Sequence, residues 1–583
     1  MLVVLHMDER IGFGTDALKR SDLVAAKKVL NDLEKEFPTN GDVFALRCLY
    51  MAKTGRSKEA LEMLLKMRNE AARRRMLFKE MDTLADIYLE RKEYVLAISA
   101  YDDIIANAAY DAGMRREAMK SIEDARRQQK LYKAYLALEN GDPATAKRFS
   151  DELQATAAAD PEVGVLGADI KLAYGQATEA LADYESLKSR YYRFQAFPGQ
   201  SGIAEAQFRL GEWEKALDAY DELLQMAGYE PEDTWSAQWG RRELLPYVKN
   251  HVVLDLSIMD ETEGQRFRQA VSYSTPWWNN WRLIVSAKED TFNLEDSLRF
   301  TKDSSVTRFE SKVAVQRRFK GGYFAEASVG GTEDNVLYGA RVGRFGSSGV
   351  GWGSIAWSLG FSGNALAEYS LPLQAINGRQ DRVDFAAQGY VHPRVRFDFG
   401  GYATWLNVGG ESLGHGWGAS GSLEYIFQPE TRQKPEVAVG YFGEYTRFSA
   451  ESKLPGTVER QLRGQDLQVR RALAVTDELK KALPSNHGSE IFDSLIEEET
   501  NRHGVQITLR KRLDLDWNVY AQAGVYRDFI GDSWEYTFAA GLEYWMNDST
   551  MLYAEVRYDS NGVGSADSGQ GVWEASLGAE VTF

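Results

Sequence analysis

The sequence predicts an α + β chain in two parts: an N-terminal solenoid of tetratricopeptide-type (TPR) helical repeats and a C-terminal antiparallel transmembrane β-barrel of about 14–16 strands. Three observations carry this. A small-residue signature recurs through the first half. After Pro246 the apolar period changes from about 3.6 residues to 2. Short and long connections then alternate between the later segments.

At 583 residues the chain exceeds what one hydrophobic core holds, so at least two domains are expected. The expected division is a repeat arm over 1–245, a linker over 246–279 and a barrel over 280–583, with a long insert at 449–501. The net charge of −17 argues against a nucleic-acid partner, which needs a basic face. The one cysteine, Cys48, excludes an internal disulfide. No run of eighteen apolar residues occurs and mean hydropathy is −0.42, so no transmembrane helix is expected, but a barrel is nearly invisible to hydropathy. Met1–His6 is too short an apolar stretch for a secretory signal, and a barrel must be secreted, so the chain is expected to lack its natural start.

The repeat signature is Gly-x-x-x-x-Ala, at Gly55/Ala60, Gly141/Ala146, Gly175/Ala180 and Gly211/Ala216, with degenerate copies at Ala26 and Ala97. Successive alanines lie 34, 37, 49, 34 and 36 residues apart, close to the TPR period. Glycine ends the first helix of each pair, the alanine lets the second approach it, and an aromatic four residues on (Tyr184, Tyr220) fills the next groove. The 49-residue interval implies an expanded unit. These are packing positions. The concave face of such a solenoid suits a protein partner.

The end of the chain alternates most plainly. Trp573, Ala575, Leu577, Ala579, Val581 and Phe583 fall on one face of a strand, and Glu574, Ser576, Gly578, Glu580 and Thr582 on the other. Working backwards, strands are expected near 550–560, 534–546, 515–527, 502–513, 434–448, 414–428 and 393–407. Further ones are expected near 381–391, 350–360, 335–345, 322–330, 306–319 and 280–288. Two more at 266–274 and 362–373 would raise fourteen to sixteen. Most are long enough to cross a bilayer at a tilt, and Trp405, Trp417, Phe427, Trp517, Trp534 and Tyr544 stand where interfacial girdles belong. Connections at 547–549, 513–515, 392–393, 346–349 and 320–322 are short, and those at 561–570, 449–501, 361–380 and 289–305 are long. With Phe583 in the periplasm, that alternation puts the repeats there too. The insert reads as an external cap or as a segment folded into the lumen.

Strand parity turns Asp384, Asp398, Glu424, Glu444, Glu535, Glu543, Glu555, Asp559, Glu574 and Glu580 inward, with Glu310 and Glu326. Fewer bases follow: Lys312, Arg341, Arg382, Arg394, Arg396, Arg510 and Arg557. Six acids fall on the last three strands against one base, an acidic wall that favours a cationic or neutral polymer over an anionic one. Inward Tyr402, Tyr520 and Tyr526 are candidates to stack on sugar faces, or are filler. No catalytic residue is proposed and no metal or cofactor is implied, because Gly-x-Ser-x-Gly, His-Glu-x-x-His and Cys/His clusters are missing and His415, His487 and His503 are isolated.

A TPR arm joined to a barrel ending in phenylalanine resembles the exopolysaccharide export porins, the outer-membrane components of poly-N-acetylglucosamine, Pel and cellulose secretion, with the Pel type favoured. The resemblance covers nearly the whole chain and lies in architecture. It implies an exopolysaccharide passing through the barrel, outer-membrane lipid around it, and periplasmic polysaccharide-modifying or scaffold proteins held by the repeats. An assembly or adhesion barrel is the alternative reading, and a barrel hydrolase a third.

Overall fold

The computed structural model describes all residues except 1, 20–21, 39, 71–77, 107–109, 193–195, 227–228, 230, 262–263, 295–304, 347–354, 368–372, 375–376, 431–433, 451–498 and 561–570. Two compact units result, one of residues 1–170, 187–197 and 226–228, the other of 171–186, 198–225 and 229–583.

The first unit holds α1 (Leu2–Lys19), α2 (Leu23–Glu36), α3 (Gly41–Met51), α4 (Ser57–Glu70), α5 (Phe78–Glu90), α6 (Tyr94–Ala106), α7 (Ala112–Glu139) and α8 (Pro143–Ala157). Residues of α9 (Pro161–Ala173) and α10 (Ala177–Tyr191) fall in both units, and α11 (Gln200–Arg209), α12 (Trp213–Gln225) and α13 (Pro231–Val248) belong to the second. Asn40, Asp111 and Asp142 cap helix N-termini by accepting backbone N–H bonds. Each signature glycine then turns the chain between paired helices: Gly55, Gly141, Gly175 and Gly211 have φ of +82, +74, +78 and +76. In the degenerate copy Lys92, five residues before Ala97, takes the same conformation at φ +60. Ala60, Ala97, Ala146, Ala180 and Ala216 are wholly buried. The aromatics after Ala180 and Ala216 fill defined spaces, since the ring of Tyr184 lies where a side chain on Gly202 would go, and Tyr220 does the same at Gly240. The long interval before Ala146 is taken up by α7, a single helix of 28 residues.

In the second unit sixteen strands close into an antiparallel barrel, each bonded to its sequence neighbours and β1 to β16. They are β1 (His251–Glu261), β2 (Gly264–Ser274), β3 (Trp281–Leu294), β4 (Val306–Arg318), β5 (Tyr323–Thr332), β6 (Val336–Arg344), β7 (Ala356–Leu366) and β8 (Arg379–His392). The circuit continues with β9 (Val395–Val408), β10 (Glu411–Gln428), β11 (Glu436–Ala450), β12 (Glu499–Arg512), β13 (Trp517–Asp528), β14 (Ser533–Asn547), β15 (Thr550–Asp559) and β16 (Val572–Thr582). Closure leaves no unpaired edge, the condition for a sheet in lipid.

Three expectations need correction. The segment 246–279 is no linker: it completes α13 and supplies β1 and β2, and the strand expected at 266–274 is β2. Without β1 nothing would pair with β16, whose partners run from His251↔Thr582 to Asp260↔Trp573. The strand placed at 350–360 is β7, six residues later, and the described residues of 362–373 beyond Leu366 form no further strand. Of the connection at 361–380, expected to be an outer loop, both ends belong to β7 and β8, and the described residues Ala367, Leu373 and Gln374 are buried. The insert at 449–501 lies outside the described residues except for its ends, which extend β11 and β12.

Parity holds around the wall. Leu254, Leu256, Ile258, Phe399, Leu423, Val505 and Leu577 stand exposed on the outer face. Trp405, Trp417, Trp534 and Trp573 join them there, an apolar belt with aromatic margins. The near rim is defined by the sheet's two ends, where Asn250 and Phe583 exchange backbone hydrogen bonds of 3.1 and 3.0 Å. The far rim is the opposite end, where β1 turns into β2.

Candidate functional site: the lumen and its near mouth

Every acid assigned inward faces the lumen, and most are held by partners. Glu580 lies 3.3 Å from His251, Glu574 3.6 Å from Arg266, and Glu543 accepts a 2.9 Å bond from Asn518. Glu555 is bonded by Tyr520 and Arg557. Asp559 is bonded by Tyr526. Towards the far rim, Arg502 lies 3.9 Å from Glu444 and 3.7 Å from Glu535, and both Arg502 and Glu535 are buried. Glu424 is a hub: Arg396 bonds it, and Gln506 and Thr508 donate to it at 2.8 and 2.9 Å. Glu310 pairs with Lys288 at 3.0 Å, and Glu326 accepts from Gln316 at 3.1 Å. Among the described residues Asp384 and Asp398 have neither hydrogen bond nor ion pair, and each lines open lumen space.

The acidic wall therefore needs revision. It is real on the β13–β16 side, but each of its six carboxylates has a polar partner. Past β1, Arg266, Arg268, Lys288, Arg308, Lys312 and Arg341 face inward from β2–β6 beside Asp290, Glu310 and Glu326, giving the lumen a basic side as well. Four of those bases were unassigned: Arg266 and Arg268 on β2, Lys288 at the end of the strand expected at 280–288, and Arg308 near the start of β4.

The three tyrosines differ. Tyr526 is 1% exposed, beneath Phe442 and bonded to Asp559, so it is filler. The ring of Tyr402 occupies the space of a side chain on Gly418, with the Arg382 guanidinium 4.3 Å from its centroid. Tyr520 lies over Gly541 in the same way. Glycine opposite a large inward ring lets the ring lie against the wall instead of blocking the channel.

The end of β7 and the start of β8 bond to strands further round the wall. The backbone N–H of Leu366 donates to Glu310 on β4 at 2.9 Å, and Arg379 donates to Thr332 on β5 at 3.0 Å. Two strands lie between β4 and β7, so these bonds reach across the inside of the wall. Leu366, Ala367, Leu373 and Gln374 are buried accordingly.

At the near mouth α12 and α13 meet the barrel in two clusters. In the first, Trp213 packs on Phe345, Trp277 and Tyr247 at centroid distances of 5.1, 5.8 and 5.0 Å. The Arg318 guanidinium lies 4.6 Å from the Trp213 ring and pairs with Glu214 at 3.2 Å. In the second, Arg242, 3% exposed, bonds the Leu515 carbonyl and lies 3.0 Å from Asp548, its guanidinium 5.0 Å from Trp545. Arg241 reaches Asp548 at 3.3 Å and Arg512 pairs with Glu243 at 2.7 Å. None of these contacts was legible beforehand. The clue lay in tryptophans and arginines crowded at 213–242 without repeat periodicity. A cavity of about 990 Å³ lies under the helices, lined by Phe208, Glu243 and Tyr247 and by inward residues of β5–β13.

His503 stands on the outer face, its ring nitrogen 2.7 Å from the Tyr441 hydroxyl and its ring stacked on that tyrosine.

The fold and its lumen define a class: a helical-repeat protein built onto an outer-membrane-type β-barrel. Among solved structures the chain is similar to a bacterial polysaccharide outer membrane secretin (10% identity, 58% of this chain, 99% of that one, TM-score 0.40). It is similar also to an anion-selective porin from Comamonas acidovorans (9% identity, 57% and 98%, TM-score 0.29). The helical part is similar to a tetratricopeptide repeat protein from Parabacteroides merdae (16% identity, 41% and 88%, TM-score 0.24). No protein-family model matches the sequence, and no curated protein matches it.

Proposed function

We propose that the protein is an outer-membrane channel that exports a neutral or weakly cationic amino-sugar polysaccharide, with its repeats in the periplasm holding polymer-modifying or scaffold proteins. The observation that carries this is the lumen's surface: paired charges, amides and rings lying against glycines. Such a wall offers hydrogen bonds and flat apolar faces without a strong net field. A polyanion would be retained by the β2–β6 bases, and a strong polycation by the β13–β16 acids. The polymer's membership of the Pel type rests on the architectural resemblance alone.

The bonds that β7 and β8 make to β4 and β5 favour a second reading, a barrel that binds protein partners and conducts little. One experiment separates the two. Cells carrying the chain with its barrel deleted should lose surface polymer while retaining it in the periplasm, and the purified protein should form ion-conducting channels in planar bilayers. Unchanged surface polymer, or a barrel that folds but does not conduct, would favour the second reading.

A further inference from the structure

The two helix clusters have a consequence for how anything enters the barrel. In a closed ring of sixteen strands, strands eight apart in order face each other. Glu214 holds the end of β4 through Arg318, and Arg242 holds the β12–β13 connection through Leu515. Those attachment points are diametrically placed, so α12 and α13 cross the near mouth as a bar. Trp277 and Phe345 extend the first attachment to the β2–β3 and β6–β7 connections, and Asp548 extends the second to β14–β15. The chain itself joins α13 to β1 through two residues, Lys249 and Asn250. The sector between, at β8–β11, is where the cavity beneath the bar reaches the rim, past Gln388 of β8 and Asp398 of β9.

We propose that this sector is an entry portal of the near mouth and a carbohydrate-binding site, in which Tyr247 of α13 supplies an aromatic face and Gln388 and Asp398 supply hydrogen bonds to sugar hydroxyls. It rests on the export reading for its ligand class, not for its position. Tyr247 lines the cavity, and its hydroxyl makes no hydrogen bond among the described residues. Asp398 likewise has no hydrogen bond or ion pair and faces the same space. Two of the cavity's acids are engaged, Glu424 by Arg396 and Glu243 by Arg512, while Arg341, Arg344 and Arg510 also line it. An aromatic face and the Gln388 and Asp398 side chains suit a pyranose chain, whose axial C–H groups pack on rings while its hydroxyls need directed partners. About 990 Å³ holds a few sugar rings, against an ordinary ligand site of roughly 300–1,000 Å³.

Two measurements on the full chain in planar bilayers test this. In the first, Gln388→Cys is labelled with a 5-kDa polyethylene-glycol maleimide from the helix side; the native Cys48 is buried and does not compete. Conductance should fall about tenfold, and unchanged conductance after complete labelling overturns the portal. In the second, chitopentaose added from the helix side should block the native channel, with about tenfold weaker affinity in Tyr247→Ala and in Gln388→Trp, which leaves the Trp213 cluster intact. Equal affinity in both variants overturns the binding site. Absence of block in the native channel from either side overturns the carbohydrate ligand and the export reading with it, and the labelling result still decides the portal.

Discussion

A glycine between paired helices is held there by its backbone, and the second unit permits a clean measure of that. At Gly175 φ is +78 and a Cβ would meet nothing within 4 Å, so Gly175→Ala adds left-handed strain without a clash. It should lower the stability of the helical part by about 1–2 kcal/mol, read from urea melts of the helical circular dichroism in detergent. Gly202→Ala is different in kind, because its Cβ would fall 2.5 Å from the Tyr184 ring. Overpacking there should cost about 1–3 kcal/mol despite good helix propensity, and a stabilised Gly202→Ala would refute the groove-filling role of Tyr184. Cys48 gives a third test at this scale. Burial pushes its thiol up to about 12, so at pH 8 it stays protonated and should resist maleimide until the helices unfold. Rapid labelling of the folded chain would contradict its place in the core.

At the scale of elements, the repeats and fourteen of the strands were legible, because each rests on a local period: a glycine–alanine step, or alternation over ten or more residues. What escaped was set by closure. The outward set of β1, Val252, Leu254, Leu256 and Ile258, alternates as well as that of any strand, yet its short distance from the last helix made it read as connection. Its necessity appears only when β16 lacks a partner. The lumen shows the same division. Inward direction follows from parity alone, but pairing depends on which strands adjoin, so Arg266 beside Glu574 was invisible until β2 stood next to β1. Arg502 is the sharpest case, a β12 base between the Glu444 and Glu535 carboxylates. Arg502→Met should lower the temperature at which the barrel loses its compact gel mobility, since stranding a buried charge costs about 3–5 kcal/mol. Adding Glu535→Gln should restore part of the loss; no recovery would mean the pair is not coupled.

For the whole molecule the deciding quantity is the field across the lumen. Acids dominate β13–β16 and bases β2–β6, sectors separated only by β1, so their fields partly cancel and the native channel should discriminate weakly between potassium and chloride. The prediction concerns removing one side. Glu543, Glu555, Glu574 and Glu580 all face inward on consecutive strands about 4.8 Å apart, and each keeps part of its surface in the lumen, unlike Glu535. Changing these four to glutamine keeps their shape and hydrogen bonding while removing charge, so the wall should still close. Arg266 of β2 and Arg557 of β15 would each lose an acidic partner, leaving the lumen more basic. In a salt gradient the reversal potential should move from near zero to clear anion preference. The shift should be largest at low salt, where screening reaches only beyond about 10 Å at 0.1 M. A reversal potential that stays in place, with the barrel folded and conducting, would put these carboxylates away from the path that ions and polymer take.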